Sequence, residues 1–171
     1  MSIDKIIKDI SDAEQEIEQH VKDKRVAVFI GRLKAGKSTI ISHIMRDQIV
    51  SKEDDAGQLG FIKVPGSRAN GPTIGGGSSA CTTTPKPYTP PIHGNSNDFV
   101  LCDMPGLDDN RGEAQDIINA FAIRKVVAVA KEIKFVFVCD INTLLITDIT
   151  LFLRLMEAAV TMIPNILNHQ Y

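Results

Sequence analysis

The chain has 171 residues, 43% hydrophobic and 23% charged, with a formal charge of −2 and no tryptophan. That length favours one domain with a sizeable core, and the balanced charge gives no electrostatic case for nucleic acid or for an anionic membrane. No apolar run approaches the roughly 20 residues of a membrane helix, the N-terminus lacks the apolar stretch of a secretion signal, and the thiols of Cys81, Cys102 and Cys139 have no metal-type spacing, so a cytoplasmic α/β domain with reduced cysteines is expected.

Residues 1–24 read as an amphipathic helix ahead of a domain spanning 25–171. Ile3, Ile7, Ile10, Ile17 and Val21 form a seam with charges on the other faces, and Glu14 interrupts it. Packing on the chain's own domain is therefore favoured over a coiled-coil partner. Arg25 to Ile30 is a short apolar strand. Residues 31–38, Gly-Arg-Leu-Lys-Ala-Gly-Lys-Ser, complete the pattern G-x-x-x-x-G-K-[ST], and a helix from Lys37 to about Val50 follows. In such a loop the glycines let successive backbone N–H groups turn toward a phosphate, and the helix N-terminus adds partial positive charge. A chance match in a chain of this length has odds on the order of one in two hundred at average residue usage, so a nucleoside phosphate ligand is expected. Gly31, Lys34, Ala35, Gly36, Lys37, Ser38 and Thr39 line the expected phosphate site. Lys37 is placed for the β- and γ-phosphates and Ser38 for Mg²⁺.

Residues 51–84 are glycine-punctuated and polar and read as one long loop. Lys86 to His93 carries Pro87, Pro90 and Pro91, tolerable only in an edge strand. Phe99 to Cys102 reads as a buried strand that delivers Asp103 and Asp-Met-Pro-Gly106. A helix from about Gly112 to Lys131, a strand from Phe135 to Cys139 and a last helix from about Thr147 to Ile163 complete the pattern. Asp103 is placed to hold Mg²⁺ from the side opposite Ser38, and the Gly106 N–H to touch a γ-phosphate. A loop threonine upstream should cap the metal, and Thr82, Thr83 and Thr84 lie where it is needed.

Together the Asp-x-x-Gly after a strand, the upstream threonine and Gly-Arg-x-x-Ala-Gly-Lys-Ser-Thr resemble the translation-factor-related GTPases. The phosphate loop is similar to that of the Era and tRNA-modification branch. Thr82-Thr-Thr-Pro-Lys-Pro-Tyr-Thr-Pro-Pro91 with Asp-Met-Pro-Gly resembles the immunity-related and dynamin-like branches. The resemblance implies a three-layer phosphate-loop fold with strand order 2-3-1-4, mostly parallel with an antiparallel edge strand, and a Mg²⁺-dependent GTP switch. It implies Lys37 and Thr82 as catalytic, and Ser38, Thr82 and Asp103 as the metal set. Thr82, 21 residues before Asp103, is the first choice for the switch threonine and Thr83 the second. Thr73 is the third, in a Thr-x-Gly similar to that of large interferon-induced GTPases.

Two departures qualify that expectation. Leu107 follows Gly106, where Ras-like members carry the glutamine that orients water, so slow hydrolysis is expected. Help would come from a dimer partner across the nucleotide face or from Lys34, Arg32 or Arg111, although solvated surface charge is the default role for each. No [Asn/Thr]-Lys-x-Asp guanine-reading motif occurs in the 171 residues. The expectation is a G domain truncated after its fourth strand and the following helix, with an apolar unpaired edge, marginal folding and weak discrimination between GTP and ATP. A complete ATP-binding domain of another phosphate-loop class would leave the proline-rich strand unexplained. A non-catalytic interaction module is the main alternative, and a small-molecule kinase lacks an arginine-rich lid.

Overall fold

The structure is a computed structural model and describes residues 2–53, 57, 59–64, 66, 70–74, 82, 84–91, 98–106, 113–139, 141, 153, 156 and 157. Helix α1, Ile3–Val21, starts where the Ser2 hydroxyl accepts from the Lys5 N–H at 3.4 Å, with Asp4 in the first turn and His20 in the last; the Asp4 carboxylate suits the positive end of the helix dipole. Ala13, Ile17 and Val21 are buried, so the C-terminal half of the isoleucine seam packs on the domain itself. Ile3 and Ile7 stay 75% and 60% exposed. The partner of α1 is helix α3, Glu113–Val129, to which Glu18 is also joined by an ion pair with Lys125.

Strand β1, Arg25–Gly31, pairs in parallel with β5, Phe99–Asp103, on one side and with β6, Glu132–Val138, on the other. Strand β4, Lys86–Tyr88, runs antiparallel to β5, giving the order β4-β5-β1-β6. The fold is thus mixed α/β with a mostly parallel sheet and an antiparallel edge strand, in the order expected. Val26, Val28, Ile30, Val100 and Cys102 form one cluster with residues of α1 and α3. Ala27, Phe29 and Leu101 form another with Ile41 and Met45, the first from helix α2, Lys37–Ile44, and the second at its C-cap. Helices on both faces bury both parities of β1, which explains its unbroken apolar run. The register Phe29↔Asp103 brings the C-terminal ends of β1 and β5 side by side, where open α/β sheets hold their ligands.

Three expectations need correction. First, α2 ends at Ile44 rather than near Val50: Arg46 takes a left-handed φ of 61°, and the chain turns out of the helix there. Second, the supposed loop from 51 to 84 contains a hairpin, β2 (Ile49–Glu53) paired antiparallel with β3 (Leu59–Lys63) as a separate two-stranded sheet. Two short β-prone runs on either side of an acidic, glycine-containing turn carried that signal. Third, β6 is not the uniformly buried central strand anticipated. It starts at Glu132, exposes Glu132 and Lys134, and fully buries only Val138; among the described residues it has a strand on one side only. The expected edge strand is regular only over Lys86–Tyr88. Of the last helix, Leu153, Met156 and Glu157 are helical, and the rest lies outside the described residues.

Candidate functional site

The loop after β1 turns over the sheet and enters α2 through Gly36, whose φ of 96° caps the helix in a left-handed conformation that glycine adopts without strain. Lys34, at φ 64°, holds a similar conformation with a Cβ, at a cost of roughly 1–2 kcal/mol. Its side chain is exposed. Lys37 is buried, and its ammonium donates to the Gly31 carbonyl at 3.0 Å and the Arg32 carbonyl at 2.8 Å. This buried cation thus reaches back over the loop's own backbone.

Ser38, at the start of α2, donates through Oγ to Asp103 Oδ2 at 2.7 Å. Thr82 donates through Oγ1 to the same oxygen at 2.9 Å, and the two hydroxyls are 3.3 Å apart. Asp103 is fully buried, and its other oxygen, Oδ1, is buried with no hydrogen-bond partner among the described residues. Burial pushes the Asp103 pKa above its ordinary value against the opposing hydrogen bonds from Ser38 and Thr82 and the charges of Lys37 and Lys86. Burial, with the Asp103 charge adding to it, also lifts the Tyr88 phenol to about 12. Cys102 behind the site is pushed up to about 12, chiefly by burial, which makes it an inert thiol.

Gly106 closes the site from the β5 side. A Cβ there would lie 2.6 Å from Leu33 N and 2.7 Å from Leu33 Cα, so this backbone touches the phosphate loop and only glycine fits. The expected residues therefore fall in distinct places. The structure brings Lys37, Ser38, Thr82, Asp103 and Gly106 together, with Gly31, Ala35, Gly36 and Thr39 in or beside the loop. Thr73 is exposed and takes no part in this cluster. Thr83, Leu107 and Arg111 lie outside the described residues.

A buried carboxylate oxygen without a donor, beside two hydroxyls, is a set of hard oxygen ligands. Such a set suits Mg²⁺, which keeps several waters and takes one or two protein carboxylates with phosphate oxygens. Among the described residues no group of three or more His, Cys, Asp or Glu side chains could hold a metal.

No protein-family model, curated protein or solved structure matches this chain. The site must be read on its own chemistry.

The sequence reading missed a second cluster on α2. Asp47, Lys63, Ser42 and the backbone of residues 70–72 form a polar knot in which Ser42 and Asp47 are buried. Nothing in the spacing of those residues announces it, because they meet only through the hairpin.

Proposed function

We propose that this chain binds a magnesium purine nucleotide, GTP in the first place, and hydrolyses it slowly as a nucleotide-dependent conformational switch. The observation that carries this reading is the convergence of Ser38 and Thr82, from two separate segments, on the buried Asp103 carboxylate, whose second oxygen has no donor among the described residues. In this reading the Lys37 ammonium leaves the Gly31 and Arg32 carbonyls for the β- and γ-phosphates, and the backbone N–H groups of residues 34–39 surround them. Ser38 and Thr82 offer hydroxyl oxygens to Mg²⁺, and Asp103 accepts from its water shell. The bound ion neutralises charge that develops on the phosphate oxygens. In this reading the Gly106 N–H reports whether a γ-phosphate is present.

Leu107 cannot orient water, and no guanine-reading motif occurs in these 171 residues. Those two features favour the second reading, an interaction module that binds nucleotide without turning it over. Titration calorimetry with Mg-GTP and Mg-ATP, followed by turnover at rising protein concentration, separates the two. Binding with turnover per molecule that climbs with concentration supports a switch completed by a second copy. Binding without turnover supports the module. No binding of either nucleotide removes both nucleotide readings.

Lys34 gives a sharper test of charge donation. Replacing it by glycine relieves roughly 1–2 kcal/mol of left-handed strain, but glycine's extra freedom in the unfolded chain returns roughly 0.5–1 kcal/mol. Lys34→Gly is therefore expected to change stability by about 0 to 1.5 kcal/mol, in the stabilising direction. A clear loss of kcat without a fall in melting temperature would mark Lys34 as a donor to the transferred phosphoryl group; an unchanged kcat would return it to the solvated surface.

A further inference from the structure

Strand β4 brings a cation to the face of the sheet that carries the site. In an antiparallel pair, residues directly opposite each other project to the same face, with Cβ atoms about 4.5–5.5 Å apart. The register sets Lys86 opposite Asp103, Pro87 opposite Cys102 and Tyr88 opposite Leu101. Tyr88 and Leu101 pack with Ile41 of α2. Lys86, two residues before Tyr88, therefore stands on the α2 face of the sheet, where Ser38 meets Asp103. Lys86 is exposed, yet its charge reaches the buried carboxyl: with Lys37 it favours the ionised form of Asp103 against the effect of burial. Lys37 acts from the phosphate loop, with its ammonium on the Gly31 and Arg32 carbonyls, and Lys86 acts from the edge strand. A lysine on an edge strand also blunts edge-to-edge pairing, but that role is indifferent to the residue across the ladder.

We propose that Lys86 is a specificity-determining residue of the nucleotide site: its ammonium, across the ladder from Asp103, makes the site favour a magnesium–polyphosphate complex over a bare divalent cation. This rests on the reading of Ser38, Thr82 and Asp103 as the magnesium site. Coulomb's law gives the sign of each effect. A positive charge beside a cation site opposes entry of a bare cation and favours a ligand of net negative charge, as Mg-GTP is. Solvent around the exposed ammonium keeps both effects modest, roughly two- to fivefold each. They belong to the charge and not to the shape of the side chain. An arginine at this position should therefore keep the preference, and a methionine, which retains the apolar stem, should lose it.

Two measurements on the full chain test this with Lys86→Met and Lys86→Arg. The first needs no nucleotide: unfolding in EDTA at low salt, in the parent and in Asp103→Asn. Where residue 103 is a carboxylate, Lys86→Met is expected to lower the folding equilibrium constant roughly two- to fivefold; in Asp103→Asn it should change nothing, and Lys86→Arg should match the parent. An equal shift in both backgrounds means an edge-strand role alone and overturns the proposal. The second measurement compares MgCl₂ alone, read as the rise in melting temperature, with Mg-GTP, read by calorimetry. Lys86→Met should strengthen the response to bare Mg²⁺ and weaken the binding of Mg-GTP. A change of the same sign in both marks a structural defect and overturns the proposal as well. If the parent binds no Mg-GTP, the nucleotide reading fails and takes the proposed preference with it; the comparison in EDTA then shows separately whether Lys86 acts on Asp103.

Discussion

Lys37→Ala is expected to cut Mg-GTP affinity by about 2 kcal/mol or more, the worth of a charge-assisted contact, or about thirtyfold in Kd. The size follows from the placement of the ammonium. It is buried and already aimed across the loop, with the Gly31 and Arg32 carbonyls at 3.0 and 2.8 Å, so little side-chain entropy remains to be lost on binding. The same geometry predicts a second effect. Alanine leaves those two carbonyls without the donor, and the empty loop should lose about 1 kcal/mol of local stability. Lys37→Arg should fail to rescue binding, because a planar guanidinium cannot reproduce the point charge of a compact ammonium at the phosphates. Calorimetric titration reads the first effect and amide exchange of the loop the second. If Lys37→Ala binds as tightly as the parent, residues 31–38 are a structural turn and nothing more.

Asp103→Asn is expected to make the nucleotide-free chain more stable and to abolish any magnesium-dependent gain in affinity. A fully buried carboxylate with one oxygen lacking a partner among the described residues carries a desolvation cost that Ser38 and Thr82 offset on Oδ2. A neutral amide keeps an oxygen for both hydroxyls and sheds the charge, for a gain on the order of 1–2 kcal/mol. For a chain of this size that is about 2–4 °C in melting temperature per kcal/mol. The sign of the pH dependence follows. Because the folded pKa lies above the ordinary 3.8, Asp103 does the fold no harm below 3.8, where the carboxyl is neutral in both states. It destabilises increasingly as pH rises from there through the folded value. The advantage of Asp103→Asn should therefore be present at neutral pH and fade in acid. Melting curves across that range in EDTA check it, and a less stable variant at neutral pH would mean that Asp103 holds the site together rather than waiting for a cation.

Local chemistry made much of this chain legible before any tertiary contact was known. Gly36 before Lys37-Ser38 requires a left-handed turn into a helix, and the structure has it at φ 96°. Val26 to Ile30 is apolar at every position because both faces of its strand are covered. Pro87 confines its segment to a sheet edge, since a proline cannot donate to a ladder, and β4 lies at that edge. These are properties of a few consecutive residues and survive in the sequence. What the tertiary structure decided involves residues far apart in the chain. Among the threonine candidates, Thr82 meets Asp103, 21 residues away, at 2.9 Å, while Thr73 is exposed; the outcome depends on where the intervening chain is fastened, and no pattern within the segment specifies that. The end of α2 at Ile44 was hidden for the same reason, whereas the hairpin that follows did carry a local signal in its two β-prone runs. Arg46 and Asp47 are ordinary helix-surface residues by type, and Asp47 becomes an anchor only because β3 returns Lys63 beside it and Gly71 comes close enough for its N–H to reach the carboxylate. Hydrogen bonds and ion pairs between distant segments depend on packing that brings them within about 3 Å, and only the folded chain supplies that distance.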